Sequence, residues 1–194
     1  MARLTMVIDL AACVGCAACA IACKTENQVA PGRNRLWIRE TELGTFPDLT
    51  VEYRPEQCMQ CENSPCVRVC PTGANHVDEY GIVDIHRDRC VGCKYCILAC
   101  PYGARYVDKE LGLPDKCDLC KHRIVKGRVP ACVETCPTAC RYLGDLDDPG
   151  DPIHKVIAEA ARAEVLLPQA GTVPRLYYLN TPVRGGLVEN RHKV

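Results

Sequence analysis

Apolar and polar residues alternate in short bursts, with no single period sustained for long, so the chain predicts many brief elements rather than a few large ones. Leu4-Thr5-Met6-Val7-Ile8-Asp9 reads as a strand, and Gly81-Ile82-Val83-Asp84-Ile85-His86 alternates as a second. Ala104-Arg105-Tyr106-Val107 is a candidate equivalent of that second strand, and the stretch from Ala20 to Lys24 reads as a short helix. Residues 153 to 164 place apolar side chains at 153, 156, 157, 160 and 161, the stripe of a one-sided helix packed on the chain's own core. Two segments carry no such pattern: 24 to 57, with Trp37 and Phe46, and the Pro/Gly-punctuated tail from about 165. Both are expected to pack on a partner or to cover the interior. No run reaches the eighteen or more apolar residues of a membrane-spanning helix.

Cysteine changes this picture. Of 17 cysteines in 194 residues, all but one fall into four blocks. The first is Cys13-x2-Cys16-x2-Cys19-x3-Cys23, and the third, Cys90-x2-Cys93-x2-Cys96-x3-Cys100-Pro101, repeats its spacing. The second, Cys58-x2-Cys61-x4-Cys66-x3-Cys70-Pro71, and the fourth, Cys117-x2-Cys120-x11-Cys132-x3-Cys136-Pro137, lengthen one internal gap. A tight loop can aim three thiolates at one iron–sulfur cube. The fourth thiolate, about one helical turn further on, points elsewhere and in such runs ligates the other cluster of a pair. Four blocks therefore predict two cross-stitched pairs of 4Fe-4S clusters. The closing proline suits a chain leaving a short helix.

Two other uses of cysteine compete. A disulfide framework suits small secreted domains and would strand one of an odd number of thiols. Structural zinc uses Cys-x2-Cys knuckles in pairs but has no use for the third cysteine two residues on. The seventeenth, Cys140, stands where the second and third block ends carry Ala74 and Ala104, and so reads as a small buried apolar residue; the alternative, that it replaces Cys136 as a ligand, would lose both the x3 spacing and the proline.

The formal charge is zero, from 24 basic and 24 acidic residues. Each oxidised cube with its thiolates carries about −2, which would take the loaded chain to about −8. Lys24, Arg68, Arg89, Lys94, Lys116, Lys121 and Arg123 beside the blocks are candidates to offset that charge, though exposed cations are screened. No dinucleotide fingerprint, phosphate loop or nucleophile elbow is present. The histidines His76, His86, His122, His154 and His192 are scattered, with His122 a candidate donor to a cluster sulfur. Fully ligated cubes leave no open iron for substrate, so the expected role is electron transfer with no catalytic residue on this chain.

Blocks two and three, within 53–107, read as a complete two-cluster ferredoxin-like module. Blocks one and four then pair across it, making 1–52 and 108–194 a split outer module. The expected fold class is α+β, with the inner ferredoxin-like module inserted in the outer one.

The block lengths, the runs Cys90-Val91-Gly92-Cys93-Lys94-Tyr95-Cys96 and Lys116-Cys117-Asp118-Leu119-Cys120, and the closing Val173-Pro174-Arg175-Leu176-Tyr177-Tyr178-Leu179 resemble the iron–sulfur, electron-transfer (B) subunits of the dimethyl-sulfoxide reductase family. Within that family, short length and lack of a membrane anchor are most similar to the polysulfide-reductase type. The resemblance implies a molybdopterin-containing catalytic partner and an integral-membrane subunit handling quinone or quinol, in the service of anaerobic respiration. It also implies crossed ligation: Cys13, Cys16 and Cys19 with Cys136; Cys117, Cys120 and Cys132 with Cys23; Cys58, Cys61 and Cys66 with Cys100; Cys90, Cys93 and Cys96 with Cys70. Some relatives carry tryptophan in the third block and hold a three-iron cluster there; Cys93 implies the four-iron type. The first block departs from the pattern by ending in Cys23-Lys24. The start of the chain shows no signal-peptide pattern, so the expected location is the membrane periphery, held by partners. Co-export with the catalytic subunit would place it on the periplasmic face, the cytoplasmic face being the alternative. A free, diffusible polyferredoxin and, more remotely, a zinc-binding structural protein are the competing readings.

Overall fold

The computed structural model describes residues 2–181. The end of the tail, including His192, lies outside the described residues. β1 (Leu4–Asp9) is the centre of the largest sheet. It pairs antiparallel with β8 (Arg141–Asp145), Met6 opposite Leu143, and parallel with β10 (Leu176–Leu179), Met6 opposite Leu176. β9 (Ala163–Glu164) completes the order β8-β1-β10-β9.

β1 is buried on both faces, which accounts for its nearly unbroken apolar run. Met6 and Ile8 join Leu176 and Tyr178 in the main core, which also holds most of the buried cysteines. Val7 points the other way, onto Ile153 and Leu179, where α6 (Ile153–Ala158) covers the sheet with Val156 and Ile157. The helix expected over 153–164 is thus shorter. Its first turn is capped by the Asp151 carboxylate, which accepts the Ile153 N–H at 2.8 Å. Its continuation is taken up by Asn180, whose side-chain oxygen accepts the Ala161 N–H and whose own N–H donates to the Arg162 carbonyl. Residues 163–164 then pair with Leu179 and Tyr178.

The segment 24–57 is not a featureless excursion. α1 (Ala18–Glu26) extends through its beginning, and β2 (Leu36–Thr45) and β3 (Asp48–Gln57) form a ten-pair antiparallel hairpin. The base of the hairpin is buried and tied to β10 by the Tyr178 hydroxyl, which donates to the Pro55 carbonyl. Trp37 is half-buried and donates to Glu56, whereas Phe46 at the tip is 87% exposed. Sequence periodicity missed the hairpin because its two strands carry polar and charged residues on both faces, including buried Glu52, Arg54 and Glu56 that pair with one another.

Two small ladders complete the architecture: β4 (Asn75–Val77) with β5 (Val83–Ile85), and β6 (Tyr106–Val107) with β7 (Pro114–Asp115). The third cysteine of each block lies in a short helix: Cys19 in α1, Cys66 in α2 (Pro65–Arg68), Cys96 in α3 (Tyr95–Leu98) and Cys132 in α5 (Ala131–Glu134). α4 (Lys121–Ile124) fills part of the long gap in block four. No helix among the described residues is long and apolar enough to cross a membrane.

Candidate iron–sulfur centres

Each block opens with a Cys-x-x-Cys turn, and in all four the residue before the second cysteine is left-handed: Gly15 (φ 68°), Gln60 (48°), Gly92 (68°) and Leu119 (56°). Glycine adopts this conformation freely; glutamine and leucine do so at a cost of about 1–2 kcal/mol. Such turns aim successive backbone N–H groups at one point. Leu119 N–H accordingly donates to Cys117 Sγ at 3.4 Å.

These turns bring the thiols into groups. One cavity is lined by Cys23, Cys117, Cys120 and Cys132 together with Asn27, Arg35 and Gln57. A second is lined by Cys58, Cys61, Cys66 and Cys100 with Arg105 and Val83. Elsewhere Cys13 and Cys136 both meet Cys140, the Cys136 and Cys140 sulfurs lying 3.5 Å apart. Cys70 and Cys96 both face Asn75, whose N–H donates to Cys70 Sγ at 3.4 Å. Cys16 and Cys93 are exposed and Cys90 is half-buried, on the rims of their loops. No disulfide joins any of the 17 cysteines.

The cavity thiols are held away from water. Burial pushes Cys23 and Cys61 up to about 12, and Cys117 well above the ordinary thiol range. Cys13 is drawn down to about 6, chiefly by its hydrogen bond with Cys140. For Cys70 burial acts upward, but hydrogen bonds from Asn75 and Thr72 outweigh it and leave the thiol at about 7. Deprotonating four buried thiols around one space requires compensating positive charge there, which iron supplies.

Several polar groups that the sequence did not single out face the sulfurs. Asn27 Nδ2 lies 3.6 Å from Cys120 Sγ and 3.8 Å from Cys23 Sγ, and is held by Arg35, which donates to its oxygen at 2.9 Å. Arg35 also grips Asp115 through two hydrogen bonds of 2.9 and 3.1 Å. Arg141 donates to Cys132 Sγ at 3.6 Å and to Gln57, yet its buried Nε and Nη1 have no hydrogen-bond partner. Arg105 Nη2 is likewise buried and unpartnered, beside Cys66, Cys58 and Cys96. Buried guanidinium nitrogens without acceptors are costly. A thiolate-ligated cluster, anionic overall and with acceptor sulfides, is the group that would satisfy them, so the residues present fit it.

Of the seven cations expected to offset cluster charge, Lys116 is buried, while Arg68, Arg89 and Lys94 are exposed. Lys24 bonds the Arg33 carbonyl, Lys121 pairs with Asp78, and Arg123 pairs with Glu26 and Glu134. His122 bonds Glu26 at 2.7 Å rather than a sulfur. His76 and His86 stack with centroids 3.7 Å apart.

Fold and thiol grouping together define a ferredoxin-like iron–sulfur protein of the 4Fe-4S type. The comparisons agree: two family descriptions of a 4Fe-4S dicluster domain match residues 49–146 and 12–74. The sequence is 46% identical to the B polypeptide of polysulfide reductase from Wolinella succinogenes, over 94% of this chain and 96% of that protein. It is 42% identical to the B polypeptide of selenate reductase from Mesobacillus selenatarsenatis, over 90% of this chain and 70% of the relative. It is 38% identical to the iron–sulfur B polypeptide of a candidate dimethyl sulfoxide reductase from Halobacterium salinarum, over 96% and 82%. The protein belongs to the iron–sulfur electron-transfer subunits of the dimethyl-sulfoxide reductase family.

Proposed function

We propose that this chain holds four 4Fe-4S clusters in series and conducts electrons between a quinone-linked membrane subunit and a molybdopterin catalytic subunit that reduces polysulfide or a similar sulfur compound. The observation that carries this is the composition of the two cavities. Each gathers three cysteines from one block and the fourth cysteine of another, Cys23 in the first and Cys100 in the second. The full ligand sets are Cys13, Cys16, Cys19 and Cys136; Cys117, Cys120, Cys132 and Cys23; Cys58, Cys61, Cys66 and Cys100; and Cys90, Cys93, Cys96 and Cys70.

Crossed ligation fixes which sets are neighbours. Cys19 and Cys23, one turn apart on α1, belong to the first and second sets, and Cys66 and Cys70 tie the third to the fourth. Gln60, between Cys58 and Cys61, donates to the Cys117 carbonyl at 2.9 Å and so joins the second set to the third. The order along the conductor is therefore the order just given. Its inner sets are mostly buried, and its outer sets expose Cys16 and Cys93 beside Val14, Ile21, Val91, Tyr95 and Leu98. Apolar surface around the terminal centres suits docking of a partner at each end. The adjacency of β1, which leads into block one, to β8, which follows block four, and the packing of α1 on α5, support an outer module split around 53–107.

With every iron ligated by thiolate, the chain carries electrons and leaves catalysis to its partner. It sits at the membrane periphery through that partner, on the periplasmic side. The test is anaerobic isolation of the native complex with analysis of subunits, pterin, iron and sulfide. Co-isolation with a pterin subunit and a membrane subunit supports the proposal; a lone chain carrying clusters would instead make it a diffusible polyferredoxin.

A further inference from the structure

Four buried cations at the cysteine loops form no ion pair with a carboxylate among the described residues, and three of them, Arg141, Lys116 and Arg105, which are 2%, 2% and 5% exposed, share a pattern. The other buried basic side chains at the cysteine loops differ. Arg35 and Arg123 each bind carboxylates, and Arg175, the fourth unpaired cation, is bonded to the Gln60 and Gly81 carbonyls and lies near Cys58 and Cys61, both of the third set, so it stands in no gap. A buried cation is retained only when something nearby carries negative charge.

Their positions follow a rule. Arg141 donates to Cys132 Sγ of the second ligand set, and Cys140, the residue before it, touches Cys136 of the first. Lys116 Nζ donates to the Cys117 carbonyl at 2.9 Å and to the Val83 carbonyl. Cys117 lines the first cavity and Val83 the second, so this ammonium lies between the second and third sets. Arg105 lines the second cavity and donates at 2.6 Å to the oxygen of Asn75, whose N–H bonds Cys70 of the fourth set. Four sets in series have three gaps, and each gap holds one of these cations.

We propose that Arg141, Lys116 and Arg105 are gap cations, each shared by two consecutive clusters, that raise the reduction potentials of both neighbours and offset the repulsion between electrons on adjacent centres. Cluster charge supplies the counter-charge that the protein withholds. A fixed charge away from bulk water acts more strongly than an exposed one, which salt screens. Because each charge faces two clusters, removing it depresses two potentials, and the pairs overlap along the series. These residues touch no substrate; they position charge. The inference rests on the four-cluster reading and on the order of the sets.

The test is a redox titration of the loaded chain in its complex, followed by paramagnetic resonance, for Arg141→Met, Lys116→Met and Arg105→Met. Iron and sulfide are quantified in each sample. Analysis of the unaltered protein that finds fewer than four clusters refutes the underlying reading; the gap-cation inference is tested by the pattern of shifts once four are counted. Each substitution is expected to make reduction at least tenfold less favourable at two of four components, about 59 mV for a one-electron couple. The Lys116→Met pair shares one component with the Arg141→Met pair and its other component with the Arg105→Met pair. The charge-retaining Arg141→Lys, Lys116→Arg and Arg105→Lys are expected to move the same components less than threefold, and Arg89→Gln at the exposed surface to move none. Shifts confined to one component, non-overlapping pairs, or equal shifts in charged and uncharged variants overturn the proposal. Where a methionine variant loses its iron, the charge-retaining variant decides: full loading with unmoved potentials supports the proposal, and loss of clusters there too overturns it.

Discussion

Arg35→Met is the perturbation whose cost can be worked out most fully. The Arg35 guanidinium is buried at the base of the hairpin, where it holds Asp115 by two hydrogen bonds, Asp118 at 3.2 Å and Asn27 at 2.9 Å. Burial works against the Asp115 charge, but Arg35, the Tyr106 hydroxyl and Arg87 outweigh it and hold the carboxyl below its usual range. Stranding one partner of a buried pair costs about 3–5 kcal/mol. Arg87, 2.9 Å away, and Tyr106, 2.5 Å away, stay on Asp115 in the variant, so it is not fully orphaned. The expected loss therefore lies at the low end, about 3 kcal/mol, or roughly a hundredfold in the unfolding equilibrium. The assay is an anaerobic urea titration of loaded protein, read by circular dichroism and by cluster absorbance, on Arg35→Met, Asp115→Asn and the double variant. Neutralising Asp115 removes the stranded charge yet keeps an acceptor for Tyr106, so the double variant is expected to recover at least about 1 kcal/mol relative to Arg35→Met. A loss under about 1 kcal/mol for Arg35→Met, or a double variant less stable than Arg35→Met, would refute the reasoning.

Other outcomes follow from the same geometry. Asn27→Leu removes the amide facing Cys23 and Cys120; the cluster of that set is expected to become harder to reduce with iron content unchanged, read by redox titration. Gly15→Ala places a Cβ 2.4 Å from the Tyr53 ring at a φ of +68°, so cluster loading at the first block should fall; adding Tyr53→Ala should restore part of it, as measured by iron content. Cys93→Trp should convert one four-iron cluster to a three-iron one with a new paramagnetic signal in the oxidised protein, and an unchanged spectrum would remove Cys93 from the ligands. Reconstitution with iron and sulfide in weak buffer should release protons and proceed further as pH rises, because thiols held up to about 12, such as Cys23 and Cys61, lose their protons on ligation.

The thiol chemistry was legible because cluster ligation fixes residue type and spacing together. No other residue replaces a cysteine ligand without trace, and an x3 gap followed by proline is the footprint of a helical turn that ends. β1 was legible for a related reason: burial on both faces leaves an unbroken apolar run. The hairpin was not, since its buried base is held by Glu52, Arg54 and Glu56, charged residues that pattern reading places at the surface. Helix α6 is shorter than its sequence pattern predicts, because the apolar stripe continues past Ala158 while Asn180, distant in sequence, captures the backbone at 161–162. The polar shell of the centres was not legible from the cations adjacent to the blocks, because groups that face sulfur, such as Asn27 and Arg141, lie further along the chain. A signal was present: the residue five places after the closing cysteine is Asn75, Arg105 and Arg141 in blocks two, three and four. Aligning the block ends one residue further than Ala74, Ala104 and Cys140 reaches these three side chains, each of which faces sulfur.

The central claim is that four clusters share this one polypeptide, and spin counting tests it most directly. Anaerobic protein is titrated to full reduction and its paramagnetic resonance signal is integrated against a standard. Four unpaired electrons per chain, entering in one-electron steps, are predicted. Two, or none in colourless protein holding stoichiometric zinc, would contradict the account.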